Sequence, residues 1–443
     1  MKIRRWHLLA AGLGTGVAIT ALLTVPGIVE RHTAARLDAA FRERVLPRVM
    51  EGNRGRAERA YAIFVEDVAR TPDAAEEVRT RVIARQAAAP AERGGAAAQL
   101  AMGHILEWGF GRPADVAAAC RWYRLAAEQG HAAAQAKLGL MYAQGAGVPQ
   151  DDLEAARWYR AAAEQSNSLA LFNLGVRYAE GLGVPRDEAE AAEWFRRAAE
   201  MGSAEAQLKL AHLLGLGLGV PRDPAEAAAW LRRAAEQALP EAQLLLGWRY
   251  ANGEGVPRDE TQAVLWIRRA ASAGFADAQA CLGALCAGGR LVPRDEAGAA
   301  RWLRRAAEQG HAEAQCNLGL LYAEGRGVRV NSAEAARWLR RAAEQGQGQA
   351  QSYLGAMYAE GRGVPEDPAE AARWLRKAAE QGLADAQCNL GFLYAEGRGV
   401  PKDNAAAAQW YGRAAEQGFP PAVEALKRVP RAPEAPTTTN ALR

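Results

Sequence analysis

The sequence predicts an all-α fold: a right-handed α-solenoid of about nine 36-residue helix-turn-helix repeats, with an amino-terminal transmembrane anchor helix. Three observations predict it. Trp122, Trp158, Trp194, Trp230, Trp266, Trp302, Trp338, Trp374 and Trp410 recur at an unbroken spacing of 36. Leu138, Leu174, Leu210, Leu246, Leu282, Leu318, Leu354 and Leu390 keep the same period, each followed by glycine except where Ala211 follows Leu210. A loop of the form Gly-x-Gly-Val-Pro-x-Asp, as at Gly181 to Asp187, separates the two halves of most copies. Tandem copies at this period, without insertion, describe stacked supersecondary units that bury a shared core.

Composition agrees with a folded chain: 49% of the 443 residues are hydrophobic and 24% are charged. The net charge of +4 is too small to require a nucleic-acid partner. Cys120, Cys281, Cys286, Cys316 and Cys388 are odd in number, lack paired spacing and form no CxxC, so they read as small apolar residues in helices.

Residues 1–29 read as a signal-anchor segment. Lys2, Arg4 and Arg5 precede an uncharged stretch from Leu8 to Val29, long enough to span a bilayer as a helix. A cleaved export signal opens in the same way, but its two candidate sites are poor: Val25-Pro26-Gly27 contains a proline, and Thr33-Ala34-Ala35 lies beyond Glu30 and Arg31. Both flanks are basic, since Arg31, Arg36, Arg42 and Arg44 follow the span. The short basic start favours placing the body outside the cytoplasm. The expectation is a membrane-anchored, extracytoplasmic or periplasmic protein, with export after cleavage as the alternative.

Residues 30–95 read as a helical stalk and linker without chemistry. Thr71 is placed as an N-cap before Pro72, and Ala89-Pro90 through Gly94-Gly95 as the linker.

Residues 96–429 form the repeat array. In the copy beginning at His311, Ala314, Leu318, Leu321 and Tyr322 make one apolar helix face, and Gly319 admits a close neighbour. Gly325-Arg326-Gly327 ends that helix. Asp187 with Glu190, Asp223 with Glu226 and Asp367 with Glu370 have capping-box spacing for the second helix, and Pro224 and Pro368 fit its first position. Its expected inner face is Ala335, Trp338, Leu339 and Ala342. The array closes with a capping helix in which Lys427 stands where the packing glycine would be, and 430–443 is expected to be a disordered tail.

The run Ala-x-Ala-Gln-x-x-Leu-Gly-x-x-Tyr, the Gly-x-Gly-Val-Pro-x-Asp loop and the run Ala-Ala-x-Trp-x-x-x-Ala-Ala-Glu-Gln-Gly resemble the Sel1-like repeat family, a subgroup of the tetratricopeptide-like helical repeats. The resemblance covers about residues 96–429. It implies an adaptor that binds protein or peptide partners and acts in signalling, envelope assembly, polysaccharide export or host contact. Departures are local: Leu214 and Cys286 replace the tyrosine, Gly289-Arg290-Leu291-Val292 lacks the second glycine, and Val328-Arg329-Val330-Asn331 lacks the proline.

Catalysis is not expected. Cysteine-rich relatives described as acting on β-lactams pair cysteines within each repeat, and this chain does not. Its serines include no Ser-x-x-Lys and its histidines no HExxH. Neither cofactor nor metal is called for.

The surface expected to bind a partner is the outer stripe of the first helix, taken as the concave face of the solenoid. In the His311 copy it holds Glu313, Asn317, Leu320 and Glu324. Across the copies the candidate residues are Lys137, Asn173, Lys209, Trp248, Asn317, Leu320, Tyr353, Asn389 and Phe392. Asn pairs with an extended backbone, and large aromatics dominate interface energies. Trp302, by contrast, is expected in the core. The loop arginines Arg290, Arg326, Arg362 and Arg398 read as members of local ion pairs. The function expected is a non-catalytic envelope scaffold, its partners a protein or peptide and, through the anchor, the membrane. The alternative is a carbohydrate- or peptidoglycan-associated module with weak β-lactam hydrolase-like activity, which would make envelope polysaccharide a partner.

Overall fold

The computed structural model describes residues 43, 45–50, 88–109 and 113–429. The anchor expected at Leu8–Val29, the cap expected at Thr71 and the tail expected at 430–443 lie outside these residues. Among the described residues every regular element is helical, and no helix is long and apolar enough to cross a membrane.

Two short helices, α1 (Leu46–Met50) and α2 (Ala89–Glu92), precede nine pairs. The pairs are α3 (Ala96–Trp108) with α4 (Val116–Glu128), α5 (Ala132–Gln144) with α6 (Asp152–Glu164), and α7 (Ser168–Glu180) with α8 (Glu188–Glu200). Next come α9 (Ala204–Leu216) with α10 (Pro224–Glu236), α11 (Pro240–Asn252) with α12 (Glu260–Ser272), and α13 (Ala276–Gly288) with α14 (Glu296–Glu308). The last are α15 (Ala312–Glu324) with α16 (Ser332–Glu344), α17 (Gly348–Glu360) with α18 (Pro368–Glu380), and α19 (Ala384–Glu396) with α20 (Asn404–Glu416). A final helix, α21 (Pro420–Arg428), buries only Ala422. The array is an all-helical repeat solenoid, and its chain divides into two compact units, the first ending at Arg222 and the second beginning at Asp223. Within each unit a helix packs on the one before it and the one after.

Local chemistry sets the helix ends. Asp187 Oδ1 accepts from the backbone N–H groups of Ala189 (2.9 Å) and Glu190 (3.0 Å), and Asp367 does the same for Ala369 and Glu370. The capping box expected from the spacing is only half formed. The N–H of Asp187 donates instead to the Tyr178 carbonyl (2.9 Å), and that of Asp367 to the Tyr358 carbonyl (2.9 Å). Each cap thereby ties the second helix to the end of the first. The glutamates bond elsewhere: Glu226 accepts from Trp230 Nε1 (3.1 Å), and Glu370 pairs with Arg373. Pro224 and Pro368 open their helices as expected.

In each pair that lies within one unit, the core is a close approach between the first helix and the residue that follows the periodic tryptophan. A Cβ on Gly319 would lie 2.7 Å from Leu339 Cγ, nearer than real side chains come. Leu303 is 1% exposed, whereas Trp302 is only partly buried beneath the Arg305 guanidinium, which sits 4.7 Å from its ring centroid. The expectation that Trp302 belongs to the core is corrected on this point. The fully buried position is its neighbour, filled by Tyr159, Phe195, Ile267 or Leu339 in other copies. Tryptophan depth varies between copies, and Trp338 is 6% exposed.

Loops rest on the preceding repeat. Gly327 has φ +68°, and a Cβ there would meet the Glu296 carbonyl at 2.1 Å, so both conformation and space require glycine. At the matching position of the next-earlier copy stands Leu291, held at φ +62°. Its side chain packs against the core around Leu303.

A buried glutamine network joins the pairs. Gln315 Nε2 donates to the Ala307 carbonyl of the preceding repeat (3.0 Å), and its Oε1 accepts from Gln345 Nε2 (2.8 Å). The glutamine-to-glutamine bond recurs as Gln129–Gln99, Gln165–Gln135, Gln309–Gln279, Gln381–Gln351 and Gln417–Gln387.

The amino-terminal side of the array is more ordered than a linker. Gln99 Nε2 donates to the Ala91 carbonyl (3.3 Å), so the segment read as a linker folds onto the first repeat through α2. Val45 and Val49 pack on Leu100 and Ile105, and His104 Nδ1 lies 2.9 Å from the Val49 carbonyl.

Candidate interaction surface

In the first helix of each repeat, the face turned from Leu318 and Leu321 holds the second, sixth, ninth and thirteenth positions. In α15, Glu313 and Glu324 are exposed while Asn317 and Leu320 between them are half-buried. The stripe is therefore a shallow trough with charged ends.

The predicted residues fall into two groups, because the chain forms two units. In the first unit, Lys137 is committed to Glu107 at 2.9 Å, Asn173 Nδ2 donates to the Leu169 carbonyl of its own helix (2.8 Å), and Lys209 is exposed. Two of these three polar groups are thus satisfied within the protein. In the second unit, Trp248, Asn317, Leu320, Tyr353, Asn389 and Phe392 lie on the first helices of its repeats. Tyr353 is 39% exposed, Phe392 46% and their companion Leu245 38%, while Asn389 is open and Trp248 is half-buried. Leu320 also packs against the core around Leu339, so it serves stability as well as surface.

Adjacent copies contribute to one site around Tyr353. Burial first, then the Glu324 and Asp385 carboxylates and Cys316, raise its hydroxyl above the ordinary value. These groups come from the repeats before and after it. Asp385 is held in place by Ser352 Oγ, which donates to its Oδ2 at 2.6 Å. The sequence contained no sign of that bond, because Ser352 occupies a position filled elsewhere by Leu100, Ala136 or Cys316.

The second-helix layer is built differently. Arg124, Arg160, Arg232 and Arg340 each donate to a tyrosine hydroxyl of the following repeat at 2.5 Å, and Arg304 pairs likewise with Tyr322. A second arginine, as in Arg233, Arg269 or Arg341, lies over the tryptophan ring of its own helix at 4.4–4.8 Å. A cleft of 490 Å³ opens beside Cys120, Arg121 and Arg124, and one of 270 Å³ beside Arg337, Arg340 and Arg341. These pairings were missed in the sequence, since the partners lie 18 residues apart in different repeats.

Two of the four loop arginines, Arg326 and Arg362, form the expected local pairs, while Arg398 turns to a glutamate of the preceding repeat and Arg290 makes no ion pair among the described residues. Arg326 reaches Glu324 (3.1 Å) and Glu296 (3.3 Å), Arg362 reaches Glu360 (2.5 Å), and Arg398 reaches Glu366 (2.8 Å).

Reactive groups do not converge. All five cysteines are free, and burial pushes the thiols up, Cys281 to about 11 and Cys316 to about 12, so neither offers a thiolate at neutral pH. Among the described residues no cluster of His, Cys, Asp and Glu could hold a metal ion. His311 serves as an N-cap, its Nδ1 accepting from Ala314 N–H at 3.1 Å.

The Sel1 repeat model matches nine consecutive segments: 96–131, 132–167, 168–203, 204–239, 240–275, 276–311, 312–347, 348–383 and 384–419. Two solved structures are similar over most of the chain. A protective antigen of uropathogenic Escherichia coli strains with an SLR fold is 32% identical, covering 85% of this chain and 89% of its own, with a TM-score of 0.52. A Sel1 repeat protein from Oxalobacter formigenes is 38% identical, covering 70% of this chain and 90% of its own, with a TM-score of 0.54. No curated protein matches the sequence.

Proposed function

The chain belongs to the Sel1-repeat family, whose members are generally protein-interaction scaffolds, and we propose that it is a non-catalytic scaffold of the cell envelope. On this reading Leu8–Val29 tethers it to the membrane, the repeats lie outside the cytoplasm, and a protein or peptide partner docks on the first-helix stripe.

One observation carries the reading. The repeat architecture fills its core with the same residue classes copy after copy, yet Leu245, Tyr353 and Phe392 stay open on positions where the copies differ. Large side chains that the fold does not use, kept on one face, are what interface anchors require.

The test is a pulldown from envelope extract with the intact chain, beside Phe392→Ala and Tyr353→Ala variants and a second-helix control, Arg373→Ala. Defined protein partners lost with the first two and kept with the third support the reading. Retention on purified cell wall, unchanged by the stripe variants, would favour the polysaccharide-associated alternative and overturn it. A reporter fused after Arg443 tests the orientation, and activity confined to the cytoplasm would contradict it.

A further inference from the structure

The charge of the last four repeats, all in the second unit, is sorted by layer, whereas α11 of the same unit balances Glu241 with Arg249. Helices α13, α15, α17 and α19 carry Asp277, Glu313, Glu324, Glu360, Asp385 and Glu396, and not one lysine, arginine or histidine. The second helices lean the other way in three of these repeats: α14, α16 and α18 each bear three cations against two glutamates, while α20 is balanced. The first helices of the first unit show no such bias, since Lys137, Arg177 and Lys209 offset their carboxylates. Family architecture does not require the acidic layer, because the repeats of the first unit fold without it.

Part of this charge is answered locally. Glu324 and Glu360 have their loop arginines, and His311 Nε2 lies 3.4 Å from Asp277. Among the described residues Glu313 and Glu396 have no ion-pair partner. Between the acidic ends lie the open apolar groups, with Phe392 two helical turns from Asp385 on one face of α19 and Tyr353 next to Asp385 and Glu324. The trough thus combines uncompensated negative charge at its margins with aromatic contact area and Asn amides at its centre.

Resting on the reading that partners dock on this stripe, we propose that the first-helix layer of α13 to α19 takes a cationic segment of a partner protein, with Arg or Lys side chains alternating with large apolar ones. Its cations meet Glu313, Asp385 and Glu396, and its apolar groups cover Tyr353 and Phe392. Complementary charge of this kind sets partner choice and approach more than total affinity, and it weakens as salt screens it.

The experiment uses the full chain and two labelled synthetic peptides of 14 residues. One carries four Arg and three Leu in a Ser/Gly background, and its twin has Glu for each Arg. Binding is read by fluorescence anisotropy. The Arg peptide is expected to bind at least ~10-fold more tightly than the Glu twin, and to weaken about 5-fold between 50 and 300 mM salt. The double variant Glu313→Gln/Glu396→Gln should lose about 3- to 10-fold, and Phe392→Ala about 10-fold or more. Glu308→Gln on α14 should change nothing. All of these positions are solvent-facing, and far-ultraviolet spectra of each variant check that it is folded. If both peptides bind alike and both depend on Phe392, the stripe docks peptides without regard to charge: this inference falls and the scaffold reading stands. If the Arg peptide binds but no stripe variant affects it, or if neither peptide binds while an envelope partner is still captured through Phe392, the cationic assignment is overturned. Partner capture and peptide binding that both ignore the stripe would overturn the two together.

Discussion

Gln243 Oε1 is buried without a donor, and the residue that would supply one, by the rule of six other repeats, is Ala273. Gln243 still donates its Nε2 to the Ala235 carbonyl (3.0 Å), so half of its amide is satisfied and half is not. Position 273 is the exposed C-cap of α12, which leaves room for a longer side chain. Ala273→Gln should therefore complete the pair and stabilise the second unit by about 1 kcal/mol, since an unmade buried hydrogen bond costs about 1–3 kcal/mol. Chemical denaturation of the two proteins checks it. The substitution should do nothing in a Gln243→Leu background, where no acceptor remains.

Repeat three answers the same question in the opposite way. Leu171 and Met201 replace both glutamines of the pair, so no polar group is left behind. Single replacement is the costly case, and Gln345→Ala in an intact pair should destabilise by about 1–2 kcal/mol by orphaning Gln315 Oε1.

Gly327 and Ala238 test two backbone demands. Gly327→Ala must both hold φ +68° and move the Glu296 carbonyl, and about 3 kcal/mol of stability should be lost. Ala238 sits at φ +64°, where most copies have glycine and where an added Cβ meets open space, as at Gly310. Ala238→Gly removes only the conformational cost, offset in part by a more flexible unfolded chain, and should gain about 0.5 kcal/mol. Thermal midpoints measured for both variants decide it.

His104 makes the first unit sensitive to acid. It is buried against Trp108 and Tyr123, and desolvation holds its pKa below the ordinary 6.5, with the Val49 carbonyl and Glu107 opposing the shift and Lys137 adding to it. A histidine depressed in the folded state binds its proton more readily when unfolded. Its contribution is fully present above about pH 6.5 and is lost as pH falls through the folded value. The first unit should therefore unfold at lower denaturant at pH 5 than at pH 8. In His104→Gln, which keeps a donor for Val49, that difference should shrink.

Leu303→Ala should cost about 2–5 kcal/mol, as expected for emptying a fully buried site. Trp302→Ala should cost less, because the ring is partly solvated and its partner Arg305 is a surface cation. Denaturation midpoints of the two variants compare them directly. The comparison also shows why the core was only partly legible in the sequence. The tryptophan repeats by identity, so it draws the eye. The residue after it repeats only by class, as Tyr159, Phe195, Ile267 and Leu339, yet it is the one buried against the first helix.

The fold as a whole was legible because the helix period is unbroken and caps and loop glycines agree in most copies. The bonds that join copies were not, because they link residues 18 or 30 positions apart whose partners only stacking defines, as in Arg340 with Tyr358 and Gln345 with Gln315. The candidate stripe was legible as a face, since spacing alone puts Asn317 and Leu320 on it. Which of its members are free to bind was not. Lys137 and Asn173 turn inward to Glu107 and Leu169, while Tyr353 and Phe392 remain open.

Amide hydrogen exchange of the full chain, free and bound to a partner recovered from envelope extract, tests the central claim most directly. Docking on the first-helix layer predicts protection concentrated in α13, α15, α17 and α19, reduced together with affinity in Phe392→Ala. Protection confined to α14, α16 and α18, with Phe392→Ala binding as well as the unaltered chain, would contradict it.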